Sequence, residues 1–273
     1  MKLESIWLTI PNEAEPVELT AYLPDNSEQI DPQRKRKTVI VCAGGGYRYR
    51  SDREAEPYAL QLLAAGCNAF VLHYHLPPQI HFPQPQLELA AAVRHVRENA
   101  ELYHVQPDKI IVAGGSAGGH LACSLGVFWS SPMLYEPLNC EPEAIRPDGM
   151  ILSYPVITGG EYAHKDSMRR LFGTEDPAVW EPYSLEKHVH AGVPATFVWH
   201  TYEDELVPVE NTLMLAAALR KHHVPLEMHI FPHGPHGLSL NTPEVYGPGV
   251  SFPMQNVETR CWLDLAKRWI EQL

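Results

Sequence analysis

An α/β domain built on a mostly parallel central sheet is what this sequence predicts, from three observations. Short apolar runs recur along the chain, helix-like segments alternate with them, and the first two runs alternate apolar with polar residues as a hairpin does. The chain has 273 residues, and α/β proteins of this length are routinely one domain, so residues 1–273 are read as a single unit. Hydrophobic residues at 45% and charged residues at 20% are globular values that supply a sizeable core.

The hairpin comes first. Residues 5–10 and 17–23 carry the alternation, and Pro11, Asn12 and Pro16 separate them, which places both at one edge of the sheet. Apolar runs follow at residues 38–43, 69–74, 110–113, 150–154, 195–200 and 226–231. Most are unbroken, as strands covered on both faces require. Helical spacing fills the intervals at residues 53–65, 86–100, 117–128 and 208–221, and a closing helix is expected at 255–271 with Val257, Cys261, Leu265 and Trp269 on one face. Alternating strands and helices predict helices on both faces of the sheet and a site beyond the carboxyl ends of the strands. The longest interruption, residues 155–193, holds a helix-like piece at 167–172 and reads equally as an inserted lid or cap and as a long crossover. No internal repeat or flexible linker is visible.

The formal net charge of -12 disfavours nucleic acid, whose affinity comes from neutralising phosphate. The basic run from Arg34 to Lys37 leads into an apolar strand and reads as its solvated entrance. Glu4 comes early, no apolar leader follows, and no stretch approaches the about 18 apolar residues of a membrane span, so neither secretion nor a membrane partner is expected. Five cysteines without framework spacing fit reduced thiols and a cytoplasmic location. Cys42, Cys67 and Cys123 lie among apolar or small residues and are expected to be buried and structural.

The most specific pattern is Gly114-Gly115-Ser116-Ala117-Gly118, which follows an apolar strand and opens a helix. Such a turn strains a serine backbone so that its hydroxyl stands exposed, while small neighbours let strand and helix approach. Ser116 is the expected nucleophile. An earlier strand ends in Ala43-Gly44-Gly45-Gly46-Tyr47, where successive glycines can aim backbone amides at one point. One amide among Gly45, Gly46 and Tyr47, together with that of Ala117, is expected to hold a developing oxyanion. A phosphate cradle is the rival reading, but the P-loop pattern is absent and Tyr49 stands where a dinucleotide fingerprint needs its last glycine.

After the strand at 195–200 comes Thr201-Tyr202-Glu203-Asp204-Glu205-Leu206-Val207-Pro208. Of its three acids, Asp204 is chosen as the carboxylate that orients a histidine because its spacing before Val207 and Pro208 is similar to that of the acid loop in this fold, while its neighbours read as a solvated acidic turn. The next strand runs into Pro232-His233-Gly234-Pro235-His236-Gly237, and His236, flanked by glycines, is preferred to His233 as general base. The chain order serine, aspartate, histidine differs from that of chymotrypsin-like and subtilisin-like proteases. His73, His75 and His81 follow a strand end, yet no metal-ligand spacing accompanies them, so neither metal nor cofactor is expected.

Together these segments resemble the acetyl esterase branch of the α/β-hydrolase superfamily, which includes acetyl xylan esterase-like and hormone-sensitive-lipase-like enzymes. The likeness is carried by Gly44 to Tyr47 with Ser51-Asp52-Arg53-Glu54-Ala55, by Gly114 to His120, by Trp199-His200-Thr201 through Asp204 and Val207-Pro208, and by Pro235-His236-Gly237. Ala43 departs from the histidine that many lipase-like relatives carry before the glycines. The resemblance implies an α/β-hydrolase fold with a small cap or none, and hydrolysis of short-chain carboxylic esters through an acyl-serine intermediate, with acetylated sugars or xylan fragments among the small-molecule substrates. A serine amidase or peptidase would share the machinery, a catalytically silent binding fold would not need it, and assembly into a homo-oligomer stays open.

Overall fold

The apolar runs become strands β1 (Lys2–Leu8), β2 (Val17–Leu23), β3 (Arg36–Cys42), β4 (Asn68–Leu72), β5 (Val105–Gly115), β6 (Gly149–Ser153), β7 (Ala195–Thr201) and β8 (Leu226–Phe231). The computed structural model describes residues 1–11, 15–247 and 254–273, the side chains of 254–257 excepted; Asn12 of the expected turn and the Val257 side chain lie outside the described residues. The strands join in one sheet of order β1-β2-β4-β3-β5-β6-β7-β8. β1 and β2 run antiparallel, β2 pairs antiparallel with β4, and the remaining neighbours are parallel. The order reverses between β4-β3 and β5, which sets Cys42 of β3 beside Gly114 of β5. The loops leaving those two strands therefore meet at a topological switch point, where α/β sheets bind ligands.

Helices α1 (Glu56–Ala64), α2 (Gln84–Glu98), α3 (Ser116–Phe128), α4 (Pro132–Tyr135), α5 (Pro142–Ile145), α6 (Lys165–Phe172), α7 (Pro177–Trp180), α8 (Glu210–Lys221) and α9 (Trp262–Gln272) surround the sheet. Strand side chains alternate between two cores, as their period of two requires. Ile40, Cys42 and Val112 join the apolar residues of α2, α3 and α8, such as Val93, Leu121 and Leu215. Val39, Val41 and Phe197 join Tyr58 and Leu62 of α1 and Trp262 and Trp269 of α9 on the other face. Cys42, Cys67 and Cys123 are buried, and burial pushes the Cys67 thiol up to about 11, which suits structural rather than nucleophilic cysteines.

Element boundaries shift where packing intervenes. The helix expected at 53–65 splits into a 3-10 turn, Asp52–Glu54, and α1, because Ala55 adopts φ -101, ψ -102. That break turns Glu54 inward, where it is 4% exposed. The helix expected at 255–271 is a 3-10 segment, Met254–Cys261, followed by α9. Among the described residues β8 has one neighbour, and its residues are half-buried or exposed rather than fully covered. Among the described residues no helix is long and apolar enough to cross a membrane.

Candidate active site

The serine turn is built by close approach. A Cβ on Gly118 would stand 2.0 Å from the Cys42 carbonyl oxygen, and one on Gly114 would stand 2.4 Å from the Gly118 backbone. Only glycine lets β5, β3 and α3 converge here. The chain turns from strand to helix at Ser116, whose φ of 52 is the left-handed conformation that a serine adopts only when its surroundings impose it. Ser116 Oγ lies 2.8 Å from His236 Nε2, and His236 Nδ1 lies 2.6 Å from Asp204 Oδ2. The carboxylate can only accept, so Nδ1 carries the hydrogen and Nε2 is left to accept the serine proton. Sequence reading named these three residues from segments far apart in the chain, and the fold brings them into one hydrogen-bonded line.

Asp204 is held from all sides. Its Oδ1 accepts the Leu206 and Val207 amides at 3.0 and 2.9 Å. The fully buried His200 reaches Oδ2 with Nε2 at 3.2 Å and the Val207 carbonyl at 2.9 Å, and its Nδ1 pairs with Thr212 Oγ1 at 2.8 Å. The Val207 carbonyl requires a hydrogen on His200 Nε2, which makes His200 a donor to the acid. Burial works against the charge of Asp204, but the hydrogen bonds from His200, His236 and the Val207 amide outweigh it and hold the carboxyl well below the usual range. The histidine loop is also pinned. Thr201 Oγ1 donates to the Gly234 carbonyl at 2.8 Å, Arg53 donates to the Gly237 carbonyl at 2.7 Å, and the Tyr154 ring stands edge-on to His236 at 5.1 Å.

The glycine loop is braced from beneath. Glu54 accepts the Gly44 amide at 2.7 Å and the Tyr154 hydroxyl at 2.6 Å, and the Tyr74 hydroxyl donates to the Ala43 carbonyl at 2.6 Å. Tyr47 turns its side chain into the core, 2.8 Å from His120 Nδ1, and burial pushes His120 down to about 3. Gly45, Gly46 and Tyr47 all take positive φ, at 120, 64 and 56. Among the described residues the Gly45 and Gly46 amides donate to no protein acceptor, and Ala117 sits in the first turn of α3, where helix amides lack intrahelical partners. Gly45, Gly46, Ser116 and His236 line a cleft of about 380 Å³, joined by His164, Asp166 and Arg170 from the segment 155–193. A larger hollow of about 600 Å³ beside Tyr22, Glu56 and His73 holds none of the three.

The rival histidines and acids lie elsewhere. His233 pairs with Glu203 at 2.9 Å on the surface. His73 contacts Thr20, His75 pairs with Glu88 and His81 meets the Arg170 carbonyl, and among the described residues no cluster of three or more histidine, cysteine or acidic side chains is arranged to hold a metal ion. Sequence reading gave no role to His200, Glu54, Tyr154 or His164. His200 could have been flagged, since it ends the strand that presents Asp204, whereas Glu54 and Tyr154 meet only through folding.

Sheet order, serine turn and hydrogen-bonded line define an α/β hydrolase of the esterase branch. The BD-FAE family model matches residues 19–219, and the chain belongs to that family. It is 35% identical to the acetyl ester-xyloside bifunctional hydrolase from Caldicellulosiruptor lactoaceticus, with a TM-score of 0.82 over 99% of this chain and 96% of that one. The carboxylesterase Cest-2923 from Lactobacillus plantarum WCFS1 superposes with a TM-score of 0.84 at 30% identity, over 100% of this chain and 98% of that one. Endo-1,4-beta-xylanase B of Butyrivibrio fibrisolvens is 39% identical over 218 residues, which are 78% of this chain and 34% of that protein. The acetylxylan esterase of Xylanibacter ruminicola is 28% identical over 82% of this chain and 44% of its own length. The chain thus spans less than half the length of these two relatives.

Proposed function

We propose that the chain is a serine carboxylesterase that removes short acyl groups, acetyl foremost, from small esters whose alcohol portion is a sugar or a xylan fragment. Ser116 Oγ attacks the ester carbonyl while His236 Nε2 takes its proton, and Asp204 stabilises the imidazolium so formed. The amide of Ala117 and one of the glycine loop, from Gly45, Gly46 or Tyr47, donate hydrogen bonds to the negatively charged tetrahedral oxygen. His236 then returns the proton to the leaving alcohol, which departs and leaves acyl-Ser116. Water, deprotonated by His236, attacks that ester and releases the carboxylic acid and free Ser116.

The observation that carries this reading is the unbroken hydrogen-bonded line from Ser116 through His236 to Asp204, opening on a cleft with unengaged loop amides. Residues 155–193 act in it as a small cap, since His164, Asp166 and Arg170 wall the cleft. The acetyl and xylan preference rests on the names of the relatives above.

The test is hydrolysis of p-nitrophenyl acetate, butyrate and octanoate by wild type and Ser116→Ala, both checked by circular dichroism. Turnover falling with acyl length and dropping on the order of 10⁴-fold or more in the variant is the expected result. Absence of turnover, or turnover that survives the substitution, overturns the proposal.

A further inference from the structure

We propose that His164 is a specificity-determining residue of this cleft, whose Nε2–H donates a hydrogen bond to an oxygen of the substrate's alcohol portion next to the scissile ester. The inference rests on the esterase reading above and adds a residue to it.

His164 stands immediately before α6 and lines the cleft together with Ser116 and His236. Its ring is fixed by Ser167, a fully buried serine whose Oγ lies 2.7 Å from Nδ1 and whose amide donates to the His164 carbonyl at 3.0 Å. Among the described residues Nδ1 is the only acceptor within reach of the Ser167 hydroxyl, so the hydroxyl donates and Nδ1 accepts. A neutral imidazole then carries its hydrogen on Nε2. Burial, and next the neighbouring His236, hold His164 below its ordinary range and favour that neutral form.

The ring also lies against the glycine loop. A Cβ built on Gly46 would meet Ser167 Oγ at 3.6 Å and His164 Cε1 at 3.8 Å. Cε1 is bonded to Nε2, so the donor sits on the ring edge beside the loop that takes the ester carbonyl. Among the described residues Nε2 has no protein partner. A half-buried donor that opens on a cleft without a protein partner is placed to donate to a ligand acceptor that displaces solvent from it. The loop amides already serve the carbonyl oxygen, and an acetyl group has no other polar atom. The remaining acceptors are those of the alcohol, a hydroxyl or ether oxygen adjacent to the ester. Of the charged groups that line the same cleft, Arg170 pairs with Asp166, Arg53 with the Gly237 carbonyl, and Glu54 with the Gly44 amide and Tyr154 hydroxyl; His164 is a neutral donor beside them, next to the exposed Arg48.

The experiment compares kcat/KM of the full chain and of His164→Phe and His164→Gln on two esters, p-nitrophenyl acetate and a mono-O-acetylated methyl xyloside, with circular dichroism on each protein. The phenol of the first has no oxygen adjacent to the ester. His164→Phe is expected to lower kcat/KM on the xyloside about tenfold more than on the phenyl ester, the worth of one hydrogen bond, and His164→Gln, which restores a donor, to recover part of that difference. An equal fall on both esters, no fall, no recovery with glutamine, or a wild type that turns over the phenyl ester and not the xyloside overturns the assignment. A wild type without Ser116-dependent turnover of either ester overturns the esterase reading itself, and the assignment with it.

Discussion

Two acid–histidine pairs stand side by side beyond β7 and β8, and they occupy different worlds. Glu203 and His233 meet at 2.9 Å with side chains 55% and 64% exposed; Asp204 and His236 meet at 2.6 Å with side chains 0% and 12% exposed. The residues are neighbours in sequence and the contacts are alike in kind. What differs is everything around them. Water can replace either member of the outer pair, and such pairs contribute little. The inner acid is enclosed, and its charge survives enclosure only because His200, His236 and two backbone amides donate to it. A carboxylate that must stay ionised beside a histidine is thus a product of its donors, and the comparison sets the enclosed pair apart as the candidate site.

The largest effect expected comes from breaking the inner pair. His236→Ala and Asp204→Asn should each lower kcat on p-nitrophenyl acetate by about 10⁴-fold, the first by removing the base and the second by releasing its tautomer. Steady-state kinetics on folded protein check this, and a loss below about tenfold would reassign the base. The same substitution tests the charge of Asp204. Its folded carboxyl sits below its unfolded value, so the stability it contributes is present above the ordinary carboxylate range near pH 4 and is lost as pH falls through it toward the folded value. Thermal unfolding followed downward from pH 5 should therefore decline more steeply in wild type than in Asp204→Asn; parallel curves would contradict the depressed value.

A middle-sized effect should follow from removing one donor. His200→Phe takes away the hydrogen bond to Asp204 and leaves the Val207 carbonyl without its partner. An order-of-magnitude fall in kcat is expected, with little change in KM, and the acid-side loss of stability should be smaller and end at higher pH, because the Asp204 carboxyl returns toward its ordinary value. A change confined to KM would show that His200 does not act through Asp204. The smallest effect should belong to the outer pair: Glu203→Ala with His233→Ala should leave kcat/KM within about twofold of wild type. A large loss there would erase the contrast between the two pairs.

Much of this site is readable from local pattern. Gly114, Ser116 and Gly118 announce a strand-to-helix turn because the constraint on each glycine comes from residues a few positions away or from the strand next door. Asp204 was separable from Glu203 and Glu205 by its spacing to Val207 and Pro208, and His236 from His233 by its glycine neighbours. His200, Glu54 and Tyr154 were not readable in that way. Glu54 reaches the Gly44 amide and the Tyr154 hydroxyl across three separate segments, and nothing local to Glu54 announces that it is buried. The break at Ala55 that turns Glu54 inward hid inside a stretch whose apolar spacing looks helical throughout.

By itself the sequence determined the alternation of strand and helix, the hairpin at one edge, the serine turn and the order of the three site residues, because periodicity and glycine chemistry act over a few residues at a time. Only the tertiary structure decided which donors keep Asp204 ionised, which amides of the glycine loop remain open, and that His164 and its Ser167 anchor close one wall of the cleft. Those are matters of burial and partner supply, and whether a buried donor or charge is satisfied depends on groups that the chain brings together only when the sheet is assembled.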